Sequence, residues 1–266
     1  MNKTINSDAL ARWINRWRLK PEGDPFSTHS SVLLPARQDG RPVMLKLTPE
    51  PDEIRGGALL SWWDGKGAVR VLEREDGALL MERLVGHRSL AKLSMDGDDA
   101  EATVILCSVV AELHRTRDSP LPPLEPLETL FEPLFESESP DPLIRIGKAS
   151  AHDLLTTQTD CVPLHGDIQH HNVLDAGDVW LVIDPKGQFG ERTFDYVNIF
   201  RNPNEQFAAD PAIVSRRIGQ IEAHVGIAPE RLRRWIAAFC ALCLVWDYYP
   251  QGSPDHDREL ARIVLS

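Results

Sequence analysis

Cysteine is scarce and scattered, with four residues in 266, at positions 107, 161, 240 and 243. That number and spacing exclude the disulfide framework on which small secreted domains depend. Cys240 and Cys243 form a CxxC, yet FCALCLVW around them is an apolar helical stretch without a Gly/Pro turn or a second ligand pair, so core packing is the reading. No apolar run reaches the roughly 20 residues that a membrane-spanning helix needs. The longest, WIAAFCALCLVW at 235–246, reads as a buried helix. Positive charge is also in deficit: 29 Lys and Arg stand against 40 Asp and Glu, for a formal net charge of -11. This argues against a nucleic-acid partner and favours a cationic small molecule through long-range attraction. The opening MNKTINSDALARW lacks an apolar stretch followed by small residues. It does not read as a secretory signal, and the expected location is cytoplasmic.

What is present is an ordinary globular composition, 42% hydrophobic and 26% charged, without internal repeats. Leu10, Trp13, Ile14 and Trp17 fall at i, i+3, i+4 and i+7, predicting a first helix capped by Ser7. SSVLLPA and PVMLKLT flank Gln38-Asp39-Gly40-Arg41, a hairpin signal; VRVLE and ALLMERL flank a second turn at Asp76-Gly77. Between the hairpins, Pro51, Glu53, Ala58, Leu59, Trp62 and Trp63 predict a helix stopped by Gly65. The N-terminal part is therefore expected to be strand-rich with one inserted helix. A long helix is predicted over Asp98 to Arg117. The proline-rich acidic segment after it carries Leu127, Leu130, Phe131, Leu134 and Phe135 at helical spacing, which predicts a partly helical excursion docked on the second lobe. NVLDAGDVWLVID reads as two short strands around a turn, and the chain from Asp210 onward reads as helical.

HGDIQHHN at 165–172 raises the question of chemistry. A zinc site is the rival reading, but His165, His170 and His171 lie on an expected loop without the i, i+4 placement of HExxH. Asp167 is followed five residues later by Asn172, and Asp184 ends the apolar run VWLVI. Phosphoryl transfer from ATP needs such a set: a carboxylate for the acceptor hydroxyl's proton, with an amide and a second carboxylate to hold Mg2+ against the phosphates.

HGDIQHHN followed by IDPKG resembles the aminoglycoside phosphotransferase family, and within it the streptomycin 6-kinase and hydroxyurea-resistance kinase branch. GDP..THSS, MLKL, RGGALLSWWDG, ALLMER and FDYVN extend the resemblance over nearly the whole chain. The resemblance implies an α+β, protein-kinase-like bilobal fold with ATP in the cleft: a nucleotide-binding lobe over 1–84 ending in the hinge, and a helical lobe over 85–266. It implies Asp167 as base or hydroxyl-orienting residue, and Asn172 and Asp184 as Mg2+ ligands. Lys46 would grip the α and β phosphates and Glu53 would hold that lysine. Ser30 and Ser31 of THSS would cover the phosphates. The Glu82 carbonyl and Leu84 N–H would contact adenine. His165 would order the loop, and Asp195 would brace its backbone. Lys186 is placed near the γ-phosphate, with a surface lysine as the alternative. Gln169 departs from the histidine many relatives carry there, which bears on the substrate pocket.

The implied activity is ATP-dependent O-phosphorylation of a small cationic antibiotic, streptomycin at its 6-hydroxyl, conferring resistance. Trp246 with Asp247, Tyr248 and Tyr249, together with Asp255 and Asp257, are the acceptor-binding candidates, with helix-end packing as the alternative. The competing functions are a kinase of another small hydroxyl compound or hydroxyurea, and a non-catalytic ATP-binding protein.

Overall fold

The computed structural model describes residues 7–246 and 253–266. Helix α1 (Ser7–Arg16) leads into short strands β1 (Lys20–Pro21) and β2 (Phe26–Ser27), then the hairpin of β3 (Val32–Gln38) and β4 (Arg41–Leu47). Asp39 and Gly40 close that hairpin with φ of 50° and 82°. Positive φ at both central positions matches the turn to the twist of the strands, as the Asp-Gly pair predicts. Helix α2 (Pro51–Trp63) follows, and β5 (Val71–Glu75) and β6 (Ala78–Glu82) make the second hairpin around Asp76 and Gly77. The strands form one sheet in the order β1-β3-β4-β6-β5, with β2 beside β3.

Strand periodicity divides this sheet into two apolar faces. Val43, Leu45, Leu47, Ala78 and Leu80 pack against Trp13 of α1 and Trp17 in the turn just after it. Leu79 and Met81 point the other way, into a core shared with Leu59, Leu60 and Trp63 of α2 and with the helical part of the chain. Lys46, flanked by Leu45 and Leu47 and paired with Leu79 across the ladder, falls on this second face.

The helical part contains α3 (Leu90–Leu93), a π-helical turn (Ser94–Asp98) and α4 (Asp99–Leu113). Helix α4 ends four residues before the predicted Arg117 because that arginine folds back, its Nη1 donating to Leu113 O at 2.8 Å and its Nη2 to Glu112 O at 3.2 Å. The guanidinium thus supplies donors to terminal carbonyls that have no next turn. Strand β7 (Glu125–Pro126) and α5 (Leu127–Glu136) follow; Leu127, Phe131 and Leu134 of the five spaced residues are buried and Leu130 is half-buried, so the proline-rich excursion docks by a narrower face than the spacing predicted, with Phe135 exposed. Helix α6 (Pro142–Thr156) and β8 (Cys161–Leu164) lead to the HGD loop. Strands β9 (Val173–Asp175) and β10 (Trp180–Val182) are the short antiparallel pair read from NVLDAGDVWLVID. Strand β11 (Gln188–Glu191) runs into a 3-10 helix, Arg192–Arg201, and the chain finishes with α7 (Glu205–Ala208), α8 (Pro211–Val225), α9 (Pro229–Trp246) and α10 (Pro254–Leu265).

Helix α9 is buried from Trp235 through Cys243, which accounts for its apolar run. Cys240 and Cys243 lie in this core, and burial pushes the Cys243 thiol up to about 12. Among the described residues no helix is long and apolar enough to cross a membrane.

One close approach joins the two parts. A Cβ added at Gly56 of α2 would lie 1.7 Å from the carbonyl oxygen of Pro185. Glycine inside a helix is destabilising by about 1 kcal/mol relative to alanine, and here only its missing side chain lets α2 touch the segment that follows Asp184.

Candidate active site

The sheet supplies a buried cation. Lys46 Nζ donates to Glu53 Oε2 and, at 2.8 Å, to Asp184 Oδ1. Burial opposes the charge on Lys46, but Asp184 and Glu53 outweigh it and raise its pKa. Glu53 enters from the first turn of α2. Its other oxygen accepts from Lys186 Nζ at 2.6 Å and from Ser30 Oγ at 3.1 Å. Burial alone would push Glu53 up, yet Lys46 and Lys186 hold it down at about 2. Lys186, also 3.2 Å from Asp52, is a member of this cluster and not a free surface lysine. Two lysines and three carboxylates thus share a partly buried site, each charge paired.

Facing this cluster is the HGD loop between β8 and β9. Two backbone bonds weld it to the segment bearing Asp184: Ile183 N donates to Asn172 O at 2.9 Å, and Lys186 N donates to His165 O at 2.7 Å. The His165 ring adds a third link. Its Nε2 donates to Ile183 O at 2.8 Å while Nδ1 accepts from Asp167 N at 3.2 Å, which defines the tautomer. Burial lowers the His165 pKa and keeps the ring neutral. Asp184 itself has φ 59°, a left-handed conformation that non-glycine residues seldom adopt, here at the point where the carboxylate turns toward Lys46.

The Asp167 carboxylate lies between two amides. Asn172 Nδ2 donates to its Oδ2 at 3.0 Å, and Asn198 Nδ2 donates to its Oδ1. Burial pushes the Asp167 carboxyl up to about 6, against the lowering pull of Lys186 and of both amides. Beneath the loop, Asp195 accepts from the backbone N–H of His165 at 3.1 Å and of Gly166 at 2.7 Å, and pairs with His114 Nε2 at 2.7 Å.

The donor set fits a magnesium ion. With its amide nitrogen on Asp167, Asn172 is left with a carbonyl oxygen, and Asp184 gives one oxygen to Lys46 and keeps a second. Among the described residues no group of three or more His, Cys, Asp or Glu could hold a metal. Magnesium suits such a site, since it takes one or two protein oxygens and completes its shell with phosphate oxygens and water. The three histidines of the loop face different partners: His165 meets Ile183 O, His170 lies 3.4 Å from Arg217 Nη2, and His171 lies 3.4 Å from Pro203 O.

Other expected residues are placed as follows. Ser30 lies half-buried on Glu53, whereas Ser31 is buried and its N–H is bound to Thr28 Oγ1 at 3.1 Å. Glu82 ends β6 exposed; Leu84 is half-buried against the main core, and between them Arg83 N donates to Pro42 O at 3.2 Å. Asp257 is not available to an acceptor: it is fully buried and bound by Arg201, whose Nε donates at 2.8 Å and Nη2 at 3.2 Å. Asp255 is exposed in the first turn of α10. Trp246 is partly exposed with its ring edge-on to Phe239, so it has a packing partner as well as a free side. Asp247, Tyr248 and Tyr249 lie outside the described residues. Sequence reasoning missed His114, Asn198 and Arg201. Only the last two carried a signal: Asp195, Asn198 and Arg201 stand three apart, and in a 3-10 helix positions i and i+3 eclipse.

A family model described as aminoglycoside/hydroxyurea antibiotic resistance kinase matches residues 16–249. The streptomycin 3''-kinase of Klebsiella pneumoniae is 46% identical over 239 residues, which cover 88% of this chain and 90% of that protein. The streptomycin 6-kinase of Streptomyces griseus is 30% identical over 258 residues, 90% of this chain and 81% of that protein. Among solved structures, a thermostable mutant of aminoglycoside phosphotransferase APH(4)-Ia, in ternary complex with AMP-PNP and hygromycin B, aligns with a TM-score of 0.68 over 96% of this chain and 97% of its own, at 15% identity. At that identity the likeness speaks for the fold, which is α+β, bilobal and protein-kinase-like. Taken with sequence matches spanning most of its length, these findings establish that the chain belongs to the aminoglycoside/hydroxyurea antibiotic resistance kinase family.

Proposed function

We propose that this chain is an ATP-dependent O-phosphotransferase whose acceptor is a small cationic aminoglycoside, streptomycin first among them. The observation that carries the reading is the single cleft-side cluster in which Lys46 meets both Glu53 and Asp184, with the Asp167 loop bonded directly to the Asp184 segment. Lys46, oriented by Glu53, would hold the α and β phosphates. Ser30 and Ser31 would cover the phosphates, and the Glu82 carbonyl and Leu84 N–H would hold adenine. Asn172 and Asp184 would hold magnesium, whose chemistry when bound is neutralisation of phosphate charge. Lys186 stands beside Glu53 on the side of Asp167, a place suited to the γ-phosphate. Asp167 would accept the hydrogen bond of the acceptor hydroxyl and take its proton as the new O–P bond forms and the bond to the leaving ADP oxygen breaks. Positioning does most of the work, since the chain supplies no covalent step.

The acceptor hydroxyl is the finer question. The sequence resemblance and the Streptomyces griseus relative favour the 6-hydroxyl, while the relative of 46% identity is named for the 3'' position. With purified protein and Mg-ATP, ADP release is expected to rise at least tenfold on adding streptomycin, and phosphorus–proton correlation in the product identifies the hydroxyl. Stimulation by hydroxyurea or another hydroxyl compound instead would move the assignment to that acceptor within the same chemistry. Nucleotide binding without turnover toward any acceptor would leave a non-catalytic ATP-binding protein. The paired retention of Lys46, Asp167, Asn172 and Asp184 speaks against that outcome.

A further inference from the structure

The side chain of Asn198 is buried, and its one hydrogen bond described in the structure is the donation from Nδ2 to Asp167 Oδ1. An ionised carboxylate only accepts, so the amide nitrogen and not the amide oxygen must face it. Among the described residues the side-chain amide oxygen of Asn198, Oδ1, has no hydrogen-bond partner. A buried amide with one end unsatisfied is a poor choice for stability, because an apolar residue of similar size would avoid the desolvated oxygen. Its polarity is therefore directed at Asp167.

The opposite oxygen of Asp167 receives Asn172 Nδ2 at 3.0 Å, and the same amide nitrogen also donates to the Asp167 backbone carbonyl at 2.9 Å. The carboxylate is thus gripped from both sides, which fixes its rotation about the Cβ–Cγ bond. Each oxygen keeps one lone-pair direction for another donor. The element carrying Asn198 is itself anchored on either side, three residues away in each direction: Asp195 binds the loop backbone, and Arg201 binds Asp257 of α10. With i and i+3 eclipsed on the 3-10 helix, one rigid face holds both the backbone of the loop and the carboxylate on it.

We infer that Asn198 is a positioning residue for phosphoryl transfer, aiming the Asp167 carboxylate at the acceptor hydroxyl. This rests on the reading of Asp167 as the hydroxyl-orienting group, and the test separates the two. Asn198→Leu keeps volume and removes the donor. Its kcat for acceptor phosphorylation is expected to fall about 10- to 100-fold, in the range that supporting-shell residues command, with the KM for Mg-ATP within about twofold of the parent and the melting temperature unchanged or higher. Placed in an Asp167→Ala background and followed by labelled phosphate transfer over hours, Asn198→Leu is expected to add no more than about a twofold further loss, since there is no carboxylate left to aim. Should the leucine variant not fold, Asn198→Ala is judged by the same criteria. A kcat within twofold of the parent, or losses that multiply in the double variant, would overturn the inference while leaving Asp167 in place. Normal turnover by Asp167→Ala alone would instead remove the reading on which it rests.

Discussion

Asp167→Ala is expected to lower kcat by about a thousandfold, within the 10²–10⁴ range typical of a positioned general base, while the affinity for Mg-ATP changes little. The reason is a division of labour between two sets of side-chain contacts. Lys46 binds Glu53 and Asp184, Glu53 also accepts from Lys186 and Ser30, and the Asp167 carboxylate shares no hydrogen bond with any of them. Asp167 instead touches two amides on the helical side. Turnover with a streptomycin acceptor and nucleotide binding by calorimetry, measured on the same preparation, check both halves. The parent enzyme adds a pH signature with a definite sign. Asp167 must be ionised to accept the hydroxyl's hydrogen bond, and its carboxyl stands up at about 6. The rate should therefore be full above that pH and fall about tenfold per unit below it, with no such limb in the alanine variant's residual rate.

The second large effect is on stability. Arg217 is wholly buried in α8, with Nη2 donating to Asp99 Oδ1 at 2.6 Å, and Nη1 donating to Ile199 O at 2.6 Å and Asn202 O at 2.7 Å. Removing one partner of a buried ion pair leaves the other charge uncompensated, at a loss of about 3–5 kcal/mol. Against a total stability of about 5–15 kcal/mol for a typical domain, Arg217→Ala is expected to bring the protein close to unfolding at 37 °C. Its neighbour provides the control. Arg216 also reaches Asp99, at 2.9 Å, but is 44% exposed, so Arg216→Ala should shift the urea midpoint by the equivalent of at most about 1 kcal/mol. Replacing the pair together by Arg217→Met and Asp99→Leu should not restore the parent midpoint, because the carbonyls of Ile199 and Asn202 would lose their donor. A double variant as stable as the parent would mean those two bonds contribute nothing.

The local features of this fold were legible because they are local. Asp-Gly pairs set the two hairpins, apolar spacing set α1, α2 and α5, and the strand alternation around Lys46 put its ammonium on the face that meets α2. The loop residues Asp167 and Asn172 are five apart, so their meeting needs only a short turn. What the sequence did not disclose lies across long separations. His114 and Asp195 are 81 residues apart, and Asp99 and Arg217 are 118 apart. No periodicity connects such pairs, since each residue looks locally like a surface charge or a helix end. Asp257 illustrates the error this causes: acidic residues near an aromatic helix end suggested a cation site, but the carboxylate turned inward to Arg201. Arg117 is similar, for nothing in the α4 pattern announces that its side chain will end the helix by curling over it.

The contact of Gly56 with Pro185 O has a bearing on how this protein can change. Every single-nucleotide replacement of a glycine codon that alters the residue inserts a side chain, and the smallest would overlap a backbone oxygen that cannot yield. Pushing α2 away would carry Glu53 off Lys46, so substitutions at this codon forfeit the charged cluster along with the packing. Gly57 next to it has 3.5 Å of clearance to a leucine methyl, enough for alanine. In a saturation library sorted for drug-inactivating clones, adjacent glycine codons should therefore diverge sharply, one frozen and the other permissive, tracing the seam between the lobes in genetic data alone.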